Sequence, residues 1–490
     1  MTVGPADSGR PGPPAAGGRP RATGDDDGMN RLNRRTPLII PSEVQTREFD
    51  AKLLLACLAS ERGFTSIVGC RTNIHLNISS LPRSIYVAKD IRYSSRRMFE
   101  ILERLGHPIM ALDEEAPFHF SREAYLRARV SPPALRRTKA LFAWGPENAE
   151  AWRNCPDYHG APIHITGNPR VDLMRGELRG FFAPEVEDLR RRFGRFILVN
   201  TNFGGVNHFF PNLSAPLPPD PAAATPADAK EAFAVGLARH KRAVLRGLIE
   251  MVPRLATAYP DHKIIIRPHA AENHETWWKA GARLPNIQVI HEGSIIPWLL
   301  AADVMIHNGC TTGLEGYLLG APIIAYQPVV SRRFDFELPN SLSHRVFDLQ
   351  TLIDSVGAAL AGKLTCDGAA AAERRRLAEW HVASLVGPFA ADRIVDLIDA
   401  FEASGTADSS ASLPSRLAGW VGAAVRREGK RRNARLPGHK NHPAYTRARF
   451  PDIELPEVVD RISRLQAILG RFAGATARQV GKNMFEIAPA

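Results

Sequence analysis

The chain has 490 residues, 44% hydrophobic and 23% charged, with a formal net charge of +12. At roughly 150 residues per domain it is too long for one small module and too apolar for global disorder, and no run approaches the roughly 18 apolar residues of a membrane span. Between Arg416 and Arg449, ten Arg and Lys stand against one acid, Glu428, which is +9 of the +12; the rest is nearly neutral. Such local charge, with no recognition motif beside it, argues against nucleic-acid binding.

Residues 1–35 are rich in Gly, Pro, Arg and Asp with few apolar residues, the composition of a disordered tail. A helix is expected from Arg47 to Arg62, where Phe49, Leu53, Leu54, Cys57 and Leu58 recur at helical spacing. Strand-like runs follow at Phe64 to Val68, Ser84 to Ala88, Pro108 to Leu112, Ala140 to Trp144 and Pro162 to Thr166, separated by helix-length segments such as Ser94 to Leu105. This alternation implies a parallel sheet covered on both faces. A second cycle runs through strands Phe196 to Asn200, Lys263 to Arg267, Ile287 to Ile290, Val304 to His307 and Pro322 to Tyr326, with helices Ala232 to Ala258 and Thr312 to Leu319. The insertion Pro211 to Asp228 is rich in Pro and Ala and reads as a surface loop or lid. The expected fold is α/β: two doubly wound Rossmann-like domains facing a cleft, over 36–185 and 186–403, with a basic helical C-terminal extension over 404–490. The N-terminus has no apolar leader, and five scattered cysteines form no CxxC pair, so a reducing cytoplasm is the expected location.

Ligands of open parallel sheets sit outside the C-terminal ends of the strands, where loops meet helix N-termini. Three stretches occupy such positions in the second cycle. Val304 to Gly316 ends a strand at His307, turns at Asn308 and Gly309 and starts a helix near Thr311; the hydroxyls and N–H groups of Thr311 and Thr312 suit a phosphate, and Glu315 a ribose hydroxyl. Thr311 and Thr312 equally suit simple helix caps. Arg267 and His269 leave a buried strand and suit phosphate or carboxylate, or in the case of Arg267 an ordinary ion pair. Asn202, Gly204 and Gly205 lie in a loop that permits close backbone approach to an anion, although it is neither a GxGxxG nor a Walker loop. In the first cycle, Asp113, Glu114 and Glu115 end a strand; one of them facing the cleft would serve as general base or stabilise positive charge at a sugar carbon. The sixteen histidines show no metal-ligand spacing, and no metal or cofactor is expected.

The segments REFDAKLLLACLASERGFTSIVG, ALDEEA, ITGNPRVD, VNTNFGGVNH, IIIRPHAAENHETW and ADVMIHNGCTTGLEGYLLGAPIIAY, in this order, resemble the bacterial surface carbohydrate biosynthesis proteins of the GT-B fold. More distantly they are similar to Kdo transferases and CDP-glycerol-type polymerases. The resemblance spans about residues 40 to 400, with Ala116-Pro117 after the acids as a departure. It implies a metal-independent glycosyltransferase with a nucleotide-sugar donor on the second domain, around Arg267, His269, His307, Thr311, Thr312 and Glu315. Asp113 to Glu115 would then face the sugar, and the acceptor would be a glycan or glycolipid precursor. A CMP-activated ulosonic acid such as CMP-Kdo would suit Arg267 and His269 through its carboxylate. The alternatives are a sugar-nucleotide 2-epimerase on the same frame and a non-catalytic glycan-assembly scaffold. From Ser412 to Arg427, Leu413, Leu417, Trp420, Val421, Ala424 and Val425 share one helical face beside basic residues. With the rest of 412–450 this face suits either the protein core or an anionic membrane surface on the cytoplasmic side.

Overall fold

The computed structural model describes residues 1, 35–215, 229–282, 284–406, 411–436 and 438–490. The expected tail, and 216–228 of the Pro-rich insertion, fall outside the described residues. Six parallel strands form the main body of the first sheet: β1 (Leu38–Ser42), β2 (Ser66–Cys70), β3 (Ile85–Ala88), β4 (Ile109–Ala111), β5 (Thr138–Ala143) and β6 (Ile163–Ile165), in the order β2-β1-β3-β4-β5-β6. The second sheet holds β7 (Phe196–Asn200), β8 (Lys263–Arg267), β9 (Ile287–Val289), β10 (Val304–His307), β11 (Ile323–Tyr326) and β12 (His344–Val346), all parallel, in the order β12-β11-β10-β7-β8-β9. Helices cover both faces of each sheet, which is why strands such as Ile264-Ile-Ile are apolar without alternation. The two doubly wound sheets match the expected pair of Rossmann-like domains, and both belong to one compact unit, Thr36–Ala490.

The central strand β1 is absent from the sequence reading. Leu38-Ile-Ile-Pro-Ser is short, and its Pro41 argues against a strand with neighbours on both sides. Proline is tolerated because pairing to β3 stops at Ile39, so no ladder bond is lost on that side. The next helix, Gln45–Glu61, is buried along nearly its whole length, including Lys52 and Glu48.

The last fifth of the chain, from Ala390, departs from the expected boundaries. Helix Ala390–Ala403, assigned to the second domain, returns to the first: Asp172 accepts from the N–H groups of Ala390 (2.8 Å) and Ala391 (2.9 Å). After 404 the chain is helical over Leu413–Asn433, Pro443–Arg449 and Leu455–Leu469, then ends in a hairpin, β13 (Thr476–Gly481) and β14 (Met484–Ala488). β14 pairs antiparallel with β2, making the first sheet eight-stranded. Gly69 admits the hairpin turn, since a Cβ there would lie 2.9 Å from Met484 Cα.

Helix Leu413–Asn433 packs its small residues, Gly419, Gly422 and Ala423, against helix Arg96–Leu105. Leu413, Leu417, Trp420, Val421 and Val425 therefore stand in solvent, each 54–72% exposed. Among the described residues no helix is long and apolar enough to cross a membrane.

Candidate functional site

Each sheet has a topological switch point, where connections leave the first strand in opposite directions and the loops part to leave a crevice. In the second sheet this lies between β7 and β10, at Asn200 and His307. Asn200 donates to the Thr312 hydroxyl (3.1 Å), which also meets Cys310 Sγ, so Thr312 is held as part of the crevice wall. Thr311 has no side-chain partner among the described residues; the N–H groups of Gly313, Leu314 and Glu315 donate to the Cys310 and Thr311 carbonyls, which leaves the Thr311 and Thr312 N–H groups without a backbone acceptor among the described residues.

Arg267, at the end of β8, donates through Nη2 to the carbonyls of Gly293 (2.6 Å) and Glu292 (3.3 Å), while its buried Nε has no partner. Burial pulls its pKa down to about 10. His269 follows, with its ring open to the crevice; its depth there, then Arg47 and Arg449, lower its pKa to about 4. Its Nδ1 accepts from Ala271 N–H, so the neutral ring carries its proton on Nε2 and acts as a donor. Glu272 ties these loops together. Fully buried, it accepts from Thr201 Oγ1 (2.8 Å), Phe203 N (3.1 Å), His269 N (2.9 Å) and Trp277 Nε1 (3.0 Å).

Across the crevice, the three acids separate by neighbour. Asp113 is buried against Arg129 (2.8 Å) and Glu114 against Lys52, with Asn168 donating to Glu114 at 3.3 Å. Glu115 alone of the three reaches the crevice, paired with Arg47. Burial would raise its pKa, but Arg47, Arg129 and Arg170 draw it down to about 2, so it stays ionised. Arg170 crosses between the sheets to Glu315 at 2.6 Å, both nearly inaccessible to solvent.

The resulting cavity, about 210 Å³, is walled by Arg47 and Glu115 on one side and by Asn202, Arg267, His269, Thr311, Thr312 and Glu315 on the other. It opens past His291 into a second cavity of about 650 Å³, and past Arg47, Glu115 and Arg449 into a third of about 540 Å³ at the β1/β3 switch point.

Six expected site residues fall elsewhere. His307 is fully buried: Nδ1 accepts from Gly309 N (3.0 Å) and Nε2 donates to Ser343 Oγ (2.8 Å), which leaves no ring nitrogen for a ligand. Gly309 forms the left-handed turn (φ 80°) beside Asn340. Gly204 packs against Ala271 and His269, and Gly205 faces open space, so neither lines the cavity. Asp113 and Glu114 are likewise corrected to buried ion pairs.

Sequence reasoning missed Arg47, Glu272, His291 and Arg449. Arg47 carried a readable signal, in the first turn of the helix after β1, but that strand was itself missed. His291 donates from Nδ1 to the Pro268 carbonyl (2.7 Å), so its Nε2 presents a lone pair. Among the described residues no three His, Cys, Asp or Glu side chains are grouped to hold a metal.

No protein-family model and no curated protein matches the chain. Among solved structures it is similar to the UDP-GlcNAc 2-epimerase of Methanocaldococcus jannaschii in complex with UDP-GlcNAc and UDP, at 13% identity over 74% of this chain and 99% of that one, TM-score 0.45. It is also similar to the UDP-GlcNAc 2-epimerase from Neisseria meningitidis bound to UDP-GlcNAc (11%, 74% and 99%, TM-score 0.45) and to the wall teichoic acid polymerase TagF (10%, 75% and 89%, TM-score 0.45). At these identities no residue's role carries over.

Proposed function

We propose that the protein is a glycosyltransferase that moves a sugar from a nucleotide-activated donor to a surface-glycan precursor. The observation that carries this reading is the facing of two walls across one narrow cavity: Arg267, an imidazole N–H and a helix start on the second sheet, where Glu315 is already tied to Arg170, and on the first an ionised carboxylate, Glu115, paired with Arg47. Phosphate oxygens would lie against Arg267, His269 Nε2–H and the Thr311 and Thr312 amides, with the nucleoside extending past His291. As the sugar–phosphate bond breaks, charge builds on the leaving oxygen, and these preorganised donors stabilise it without a metal. Glu115, held ionised, would stabilise positive charge at the anomeric carbon. A carboxylate-bearing donor such as CMP-Kdo would add an anion that Arg267 also fits.

A 2-epimerase would use the same donor wall with no second substrate; the additional 540 Å³ cavity on the first sheet favours transfer. The exposed stripe of helix Leu413–Asn433 supports attachment to an anionic membrane that carries the acceptor.

The test is a thermal-shift series with UDP, CMP, CDP and GDP on the wild type and on Arg267→Gln, followed by product analysis of the responding nucleotide sugar alone and with a glycan extract. A nucleotide-specific shift lost in the variant, with sugar transferred only when extract is present, is the expected result. Interconversion of the sugar with no acceptor present would establish the epimerase instead. No response to any nucleotide would overturn the donor site.

A further inference from the structure

Helix Leu413–Asn433 is inside out by the ordinary logic of amphipathic helices. Its large apolar residues face water, whereas the face that begins with Gly419 and Ala423 against the protein continues with Arg426 and Lys430. That continuation borders the 540 Å³ cavity, where Arg426 and Lys430 meet Arg71 from the helix after β2 and Lys440 from the following loop. Neither Arg426 nor Lys430 has a hydrogen-bond or ion-pair partner among the described residues. The nearby carboxylates are already engaged. Glu43 pairs with Arg71 (2.9 Å), Lys89 (2.9 Å) and Arg449, and Asp90 accepts from Ser95 (2.6 Å) and pairs with Lys89 (3.3 Å) and Arg92 (3.3 Å). Cations turned into a cavity toward other cations cost stability unless an anion completes the set.

The place is also where a ligand belongs. The cavity lies at the C-terminal ends of β1, β2 and β3, at the switch point of the first sheet. We propose that it is a binding site for a phosphate-bearing molecule, held by Arg71, Arg426 and Lys430. Three cations from two elements suit the several acceptor oxygens of a phosphate. The cavity meets the donor crevice at Arg47 and Glu115, so a hydroxyl on the same molecule reaches the sugar carbon; that this molecule is the acceptor rests on the donor reading above, whereas its binding does not.

The experiment measures thermal shifts of the full chain with glucose 1-phosphate and inorganic pyrophosphate, for the wild type and for Arg426→Ala combined with Lys430→Ala, with the responding nucleotide run in parallel. A second arm compares binding to vesicles carrying phosphatidic acid with vesicles of equal charge made with phosphatidylglycerol. Expected are a wild-type response to the soluble phosphates, a loss of about tenfold or more in affinity in the variant, and an unchanged nucleotide response. Without ligand the variant melts at the same temperature or higher, because like-charge repulsion has been removed. A response confined to phosphatidic acid and lost in the variant also supports the site and assigns the phosphate to a lipid. The inference is overturned by no phosphate response in either arm up to about 10 mM, which detects even millimolar affinity. It is equally overturned by a variant that binds phosphate as well as the wild type, or that melts lower without ligand. A nucleotide response lost together with the phosphate response gives the cavity to the nucleotide and also overturns it. If the nucleotide response persists while every phosphate fails, only this site falls; if phosphate binds and no nucleotide does, only the donor reading falls.

Discussion

Removing one partner of the Arg170–Glu315 pair is expected to cost far more than removing both. The two charges lie 2.6 Å apart at 3% and 5% side-chain exposure, joining the helix after β6 to the helix after β10. Unit charges about 4 Å apart at an effective dielectric near 20 attract by about 4 kcal/mol, and breaking a buried pair from one side costs about 3–5 kcal/mol because the remaining charge stays desolvated. Arg170 keeps one bond, from Nη1 to the Glu114 carbonyl at 3.1 Å, which places Glu315→Ala toward the lower end, about 3 kcal/mol. Replacing both, Arg170→Met with Glu315→Leu, removes the stranded charge and leaves a deficit of about 1 kcal/mol from that lost carbonyl bond. Urea unfolding of the wild type, both single variants and the double variant closes the cycle. If Glu315→Ala costs less than about 1 kcal/mol, or the double variant is as unstable as the singles added, the pair is not the buried link between the sheets. The same double variant separates Glu315's structural part from ligand contact, because stability returns while a ribose contact would not.

Further outcomes are expected at four places in the structure. Glu272→Gln puts an amide where four donors converge; about 1–3 kcal/mol should be lost, with faster hydrogen exchange at 201–205 and 269–272 and weaker nucleotide binding. His307→Ala should lower the melting temperature, since Gly309 N–H and Ser343 lose their partner, while the folded variant retains nucleotide affinity; a specific loss of affinity would restore His307 to the ligand. Lys430 is drawn down to about 7 by burial, by Arg426 on its own helix and by Arg71, against Cys70 and Glu43. A bound anion restores its proton, so the affinity for sulfate, whose own charge is constant here, should fall about tenfold per pH unit above about pH 7, and the slope should vanish in Lys430→Gln. With no anion present, Lys430 should add stability as pH rises from about 7 toward the unfolded lysine pKa, because only the unfolded chain still holds the proton. Trp420→Ser with Val421→Ser should weaken sedimentation with anionic vesicles, each large side chain forgoing about 1.5–3 kcal/mol of burial, and leave glucose 1-phosphate binding unchanged.

Local chemistry determined much of this protein in advance. β7, β8 and β10 and helix Thr312–Leu319 coincide with their expected bounds, because a continuous apolar run ended by Pro, Gly or Asn is a property of adjacent residues. The same locality placed Arg267, His269 and Thr311 at strand ends, and hence at the crevice. It failed where identity depends on partners remote in the chain. β13 is polar and mostly exposed, so Thr476–Gly481 has no apolar signature; β14 behind it is what supplies its backbone bonds. Three consecutive acids are chemically alike until Arg129, Lys52 and Arg47 divide them, and those cations are 16 to 68 residues away by number yet adjacent in space. The apolar stripe from Leu413 to Val425 was plain in the sequence, but its direction was not. Close approach to helix Arg96–Leu105 requires the small face of Gly419 and Ala423, and that contact alone turns the apolar side to water and Arg426 and Lys430 toward the cavity.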